Sequence, residues 1–273
     1  MFRTQETTSS AGLAFRTLIL IYHSTVRDVR KSHGNALVGL FMNIMQTVIF
    51  VVAFFAMFSF LGMRGAAIRG DFLLYIMTGI FLFLTHTKAM GAVVSSEGPA
   101  SPMMKHRTMN TVVAISAAAL STLYIQVLSM VVVLFFYHVI FTPIEIFDPI
   151  GAFSMVLMSW FSGVAVGMVF LAIKPWSPGF TKLGATIYSR ANMIASGKMF
   201  VANTLPPSIL VMFDWNPLFH TIDQARGYTF INYFPNNSSA SYPFYVALAC
   251  LMLGLMGEFY TRKHASVSWT AKL

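Results

Sequence analysis

The sequence predicts an all-α integral membrane protein, with six transmembrane helices preceded by an amphipathic helix at the membrane surface. Three observations lead there. Of the 273 residues, 56% are hydrophobic and only 10% are charged, whereas soluble domains carry about 25% charge. Charge-free apolar runs, long enough to cross a hydrocarbon layer of roughly 30 Å, recur along the chain. The basic residues gather at the two ends and in the gaps between those runs. Residues 1–273 read as a single transmembrane domain.

Residues 11–33 form the first element. At about 100° per residue, Arg16, His23, Arg27 and Arg30 fall on one side of a helix, with Ala14, Leu18, Tyr22, Thr25 and Val29 opposite. A basic amphipathic helix of this kind lies in the membrane interface. The first ten residues are polar, so no cleavable signal is expected. Between Gly34 and Met63 there is no Asp, Glu, Lys or Arg, which gives the first span at 37–61. Arg64, Arg69 and Asp71 end it. The second span, 72–94, contains Lys88.

The next gap carries Glu97, Lys105, His106 and Arg107 between prolines. It is short and polar, and could dock a soluble partner. A third span at 110–140 lies within a charge-free run longer than the hydrocarbon core, so one end projects beyond it. Pro143, Glu145, Asp148 and Pro149 make a turn, and the fourth span follows at 150–173. Lys174-Pro175-Trp176-Ser177-Pro178-Gly179 cannot stay helical. A fifth span is read at 183–202, with Arg190 and Lys198 inside it. The stretch from Asn203 to Pro243 is too broken by prolines and charges to cross, and the sixth span is 242–260.

Six spans put both termini on one side. With the termini inside, twelve Lys and Arg fall on the inner side, against Arg64, Arg69 and Arg226 on the outer side. Basic residues concentrate in cytoplasmic loops, so both termini are expected in the cytoplasm. The basic residues behind the net charge of +9 sit at the ends and in the short gaps with no dense basic stripe, which argues against a nucleic-acid partner and for membrane lipid. The one cysteine, Cys250, excludes an intrachain disulfide and a cysteine metal cluster.

The catalytic signatures are absent from the sequence. It has no G-x-x-x-x-G-K-[ST], H-E-x-x-H or G-x-S-x-G, and no clustered acidic pair in one loop. No catalytic residue, metal ligand or cofactor is therefore assigned, and the chain is not expected to be an enzyme by itself. Charges at membrane depth are costly and mark function. Lys88, Arg190 and Lys198 are the candidates for a path taken by an anionic substrate, with snorkelling to a headgroup as the plainer alternative. His86 and His138 fall in or near spans, where a hydrogen-bonded histidine is the commoner state.

One region carries a resemblance. Ala195-Ser196-Gly197-Lys198-Met199-Phe200 is followed by Leu205-Pro206-Pro207-Ser208, then by Trp215-Asn216-Pro217-Leu218-Phe219-His220, Asp223 and Arg226. This ordered set resembles the membrane subunit of type-two ABC exporters, in the branch that moves capsule and O-antigen polysaccharides. The basic N-terminal helix and the six-span plan agree with it. The family's "proline-leucine-aspartate" coupling run is replaced here by Met103-Met104-Lys105-His106-Arg107.

The resemblance implies short re-entrant extracytoplasmic helices within 205–230, carrying Trp215, Asn216, Pro217, His220 and Arg226. It implies a permease that pairs with a second copy of itself in a bacterial inner membrane. Two copies of a soluble ATPase, which bind the ATP and Mg, would dock near Glu97, Lys105, His106 and Arg107. Periplasmic and outer-membrane components would continue the route of a lipid-linked polysaccharide. Teichoic acid, lipid or drug export by the same architecture stands as an alternative, as does a membrane-embedded transferase or an assembly subunit with no path of its own.

Overall fold

A computed structural model describes residues 10–31, 36–60, 62, 68, 70–96 and 111–264. Among them the structure is helical with irregular connections. The elements are α1 (Ser10–Lys31), α2 (Ala36–Phe60), α3 (Phe72–Ser95), α4 (Thr111–Ile140), α5 (Pro149–Ile173), α6 (Pro178–Ala195), a 3-10 turn (Ala202–Thr204), α7 (Pro207–Leu210), α8 (Pro217–Thr229) and α9 (Ser241–His264). Five helices among the described residues, α2 to α5 and α9, are long and apolar enough to cross a membrane. The architecture is that of an all-α membrane protein of several passes.

Local chemistry explains where several helices begin. Asp71 starts α3 by accepting from the Leu73 and Leu74 backbone amides. Asp148 starts α5 through the Ile150 and Gly151 amides, with Pro149 in the first turn. Each carboxylate satisfies amides that have no partner inside the helix. α4 has 30 residues, about 45 Å at 1.5 Å per residue, so it outruns a hydrocarbon core as its composition suggests.

α3 is the central helix, buried on almost every side from Leu74 to His86. It contacts α2, α4, α5, α6 and α8. Its closest neighbour is α5, which runs parallel to it. The Ser159 hydroxyl donates to the Leu82 carbonyl, and Lys174 Nζ donates to the Val94 carbonyl at the other end. Ser159, Gly163 and Gly167 recur every four residues on the contact face. A Cβ at Gly163 would sit 2.3 Å from the His86 carbonyl oxygen, and one at Gly167 would sit 2.9 Å from the Met90 carbonyl oxygen. Lipid tails are as apolar as leucine, so spanning helices gain little by hiding apolar surface from lipid. Small residues that let backbones approach supply the packing instead.

α9 lies on the other side of α5 in the same manner. A Cβ at Gly254 would meet the Met168 Cβ at 2.6 Å, and one at Gly257 would meet the Ala172 Cβ at 2.8 Å. The Phe161 and Phe244 rings stack, and Thr261 donates to the Ala172 carbonyl. These contacts make α9 parallel to α5. The chain between them therefore returns through α6, α7 and α8.

α1 packs along α4. Its half-buried stripe is Thr17, Ile21, Ser24 and Asp28. The basic residues Arg16, His23, Arg27 and Arg30 are all exposed, as are Leu18 and Tyr22. The helix thus has three faces, one against protein, one basic and one apolar. Arg27 also pairs with its neighbour Asp28 at 3.7 Å.

The expected fifth span at 183–202 takes a different course. α6 starts at Pro178 and stops at Ala195. It is not among the helices apolar and long enough to cross. Gly197 follows with φ +75°, the left-handed conformation that ends a helix and that glycine adopts without strain.

Gly163→Ala is expected to destabilise the bundle by about 1–3 kcal/mol through overpacking, because the obstructing atom is backbone. Gly91→Ala, where a Cβ meets nothing within 4 Å, should be neutral. Thermal unfolding of the two variants in one detergent checks this; equal midpoints would mean α3 and α5 separate freely.

Candidate functional site

The broken stretch after α6 is held by α8. Ten of its thirteen residues are buried, although the helix is polar on average. Arg226 is the largest fully buried side chain among the described residues. Its Nη1 donates to the Gly197 carbonyl at 2.9 Å and the Phe200 carbonyl at 2.7 Å, and its Nη2 donates to the Lys198 carbonyl at 2.9 Å. The guanidinium also lies 4.2 Å from the centre of the Tyr75 ring. A flat five-donor group can serve several carbonyls at once and stack on an aromatic face.

Asn216 ties the same turn from the other end. Its Oδ1 accepts from the Leu218 amide at 3.0 Å and caps α8, with Pro217 in the first turn. Its Nδ2 donates to Asn192 Oδ1 and to the Ala195 carbonyl, both at 2.9 Å. One amide thus joins the end of α6 to the start of α8. At Gly197 a Cβ would also meet the Phe219 ring at 2.7 Å, so both backbone angle and space select glycine.

His220 accepts at Nδ1 from the Ser239 amide at 3.1 Å, which leaves Nε2 as the protonated nitrogen, 2.6 Å from the Asp214 carbonyl. Both ring nitrogens are thus used, and Asp214 Oδ1 lies 3.4 Å from Nε2. Asp223 accepts from the Tyr233 hydroxyl and from Ser238 Oγ at 2.7 Å. Burial and the adjacent Asp223 carboxylate push the Tyr233 hydroxyl well above the usual phenol range, so it stays a donor. Trp215 is exposed, and its indole donates to the Met212 carbonyl at 2.7 Å. Asn216, His220 and Arg226 therefore each fasten a different part of the turn, while Trp215 is exposed.

The three cations singled out in the sequence stand in different settings. Lys88 is half-buried and donates to Asn43 Oδ1. Gln126 Nε2 shares that oxygen at 3.0 Å, and Asn43 Nδ2 donates to Ser129 Oγ at 2.6 Å. This cluster joins α2, α3 and α4. Lys198 is buried with no hydrogen-bond partner for Nζ among the described residues. Its ammonium lies 3.5 Å from the centre of the Phe83 ring and 4.9 Å from that of Phe54. A Cβ at Gly79 would meet the Lys198 Cβ at 2.8 Å, so α3 is cut away to admit this residue. Arg190, on α6, is exposed.

A second cluster was legible in the sequence only through its histidine. His86 is fully buried between α3, α5 and α6. Its Nδ1 is 2.9 Å from Ser162 Oγ, whose hydroxyl is committed to the Ser159 carbonyl at 3.0 Å. Nδ1 is therefore the donor, and Nε2 accepts from the Tyr188 hydroxyl at 2.9 Å. This is the hydrogen-bonded state expected of a histidine in a span. His138 is exposed and accepts from the Ile144 amide at 2.9 Å. Asn43, Gln126 and Ser129 were legible only as isolated polar residues in apolar runs. No group of three or more His, Cys, Asp or Glu that could hold a metal occurs among the described residues. Glu97, Lys105, His106 and Arg107 lie outside the described residues.

No protein-family model and no curated protein matches this chain.

Arg226→Lys keeps the charge but not the fork, and leaves buried carbonyls unserved at about 1–3 kcal/mol each. Its unfolding midpoint should fall below that of Asp148→Ala, where loss of the α5 cap costs about 1 kcal/mol. Midpoints compared in one detergent test the order; the reverse order would show that the guanidinium is not the main fastening.

Proposed function

We propose that this chain is the permease subunit of an ATP-driven exporter of the type-two ABC architecture, moving a lipid-linked polysaccharide of the capsule or O-antigen type across a bacterial inner membrane. The observation that carries the reading is the latched, interrupted helix at 195–229. Of the residues that resemble the family there, Arg226 holds the Gly197 carbonyl, Asn216 joins the end of α6 to the start of α8 at Pro217, and His220 ties α8 to Ser239. In this reading, both termini lie in the cytoplasm. The reading takes the return between the parallel helices α5 and α9 as a sixth crossing, made by α6 and the re-entrant segment.

A second copy of the chain completes the path. The irregular backbone after α6 carries exposed Val211, Met212 and Trp215. Irregular backbone at membrane depth is tolerated only beside protein or a water-filled cavity. A partner related by a two-fold axis supplies the protein wall, and the channel between the copies supplies the water. Arg190, exposed on α6 next to this segment, faces the path and attracts an anionic carrier lipid or glycan. Lys88 and Lys198, the other two candidates for the path, are held within one copy by Asn43 and by the Phe83 and Phe54 rings.

The ATPase docks on the segment holding Glu97, Lys105, His106 and Arg107 and supplies the free energy, while α1 anchors the assembly on anionic lipid through Arg16, His23, Arg27 and Arg30. Periplasmic and outer-membrane components receive the polymer.

Co-purification of the tagged chain from its native membrane should bring down a stoichiometric ATPase carrying a phosphate-binding loop. A preparation of this chain alone, under detergent that preserves other membrane complexes, would turn the reading toward a transferase or an assembly subunit. Arg190→Ala should lower export several-fold with unchanged protein level and dimer; normal export removes Arg190 from the path. Charge reversal at Lys105 and Arg107 should weaken the ATPase complex, and an unchanged complex would place docking elsewhere.

A further inference from the structure

Two cavities meet at Asp71. The larger, about 860 Å³, opens between α2, α3 and α4 and is walled by apolar side chains such as Val48, Val52, Met77, Val133 and Phe136. The smaller, about 450 Å³, sits beyond the start of α3 and includes Gly70, Glu145, Phe230 and Asn232 in its lining. Asp71 lines both, and the consecutive residues Thr142 and Pro143 line one each. An apolar groove along the spanning helices and a half-polar chamber at their ends thus share Asp71 in their walls. The volume of the groove lies in the range of ligand sites.

The charge of the chamber selects among amphiphiles. Asp71 Oδ1 accepts from the Leu73 and Leu74 amides, and Oδ2 accepts from the Tyr137 hydroxyl and from Thr142 Oγ1 at 3.0 Å. Burial pushes this carboxyl up, but the four hydrogen bonds outweigh it and hold the pKa below the usual carboxylate value. Asp71 is therefore ionised at neutral pH, and Glu145 adds an exposed carboxylate. No Lys, Arg or His is among the described residues lining the chamber. The two carboxylates on the described lining favour an ammonium over a bare phosphate terminus.

We infer that the two cavities form one binding site for a membrane aminophospholipid, with an acyl chain seated between α2 and α4 and the headgroup ammonium seated by Asp71 and Glu145. The site is separate from the path and does not rest on the exporter reading. The chain fills a groove that would otherwise lack contact atoms on one side, and the headgroup closes the α2–α4 opening at the start of α3.

The full chain, incubated in detergent with equimolar phosphatidylethanolamine and phosphatidylglycerol, is examined by native mass spectrometry. The wild type should retain phosphatidylethanolamine severalfold over phosphatidylglycerol. Glu145→Gln should lose that preference while total retained lipid stays the same. Val52→Trp, at an exposed rim position, should lose the adduct with an unchanged circular dichroism spectrum. Phe136→Ala, on the opposite and also exposed rim, should weaken retention, which keeps the test open if the tryptophan variant does not fold. Equal retention of the two lipids by the wild type overturns the headgroup assignment. Unchanged adducts in both rim variants overturn the site. Loss of the dimer in Val52→Trp with lipid retained assigns the groove to a second copy of the chain, and also overturns it.

Discussion

A helix that stops inside an apolar bundle leaves carbonyls that lipid cannot bond and water does not reach. The rest of the functional region follows from how this chain meets that constraint at Ala195. Three carbonyls after the break are served by one buried guanidinium, that of Arg226. Arg226 needs a helix to hold it there, so a polar thirteen-residue α8 lies buried between α3 and α5. α8 in turn needs a start, given by Asn216, and a flat surface under the guanidinium, given by Tyr75. Gly79 and Gly197 are the spaces that let these pieces close up.

The surrounding bundle rests on a second consequence of the lipid solvent. With little hydrophobic drive between spanning helices, small residues and buried hydrogen bonds decide which helices touch. Ser159, Gly163 and Gly167 bring α5 against α3, and Gly254 and Gly257 bring α9 against α5. Polar clusters then fix the remaining neighbours. His86 with Ser162 and Tyr188 joins α3, α5 and α6. Asn43 with Lys88, Gln126 and Ser129 joins α2, α3 and α4.

These fastenings sort the three cations of the spanning region. Lys88 is committed to an asparagine, and Lys198 is enclosed by aromatic faces. Arg190 is the one of the three that stands exposed. The three therefore stand in different settings even though the sequence presents them alike. The same sorting applies to the Trp215 to Arg226 motif, in which the tryptophan faces outward and the other members hold the fold.

Composition and charge spacing by themselves determined the all-α membrane class and the long apolar helices, because lipid imposes its demand on every residue of a span and a run without charges is visible in one dimension. Helix starts at Asp71 and Asp148 were marked by the charges that end the apolar runs, since capping is local. Tertiary structure alone decided where α6 ends, which carbonyls Arg226 serves, and that Asn43 rather than a substrate meets Lys88. It also decided that an apolar groove and an acidic chamber share Asp71. The physical reason is the same in each case. These are pairings between segments far apart in the chain, set by which side chain reaches an unsatisfied group, and no local pattern records the distance between them.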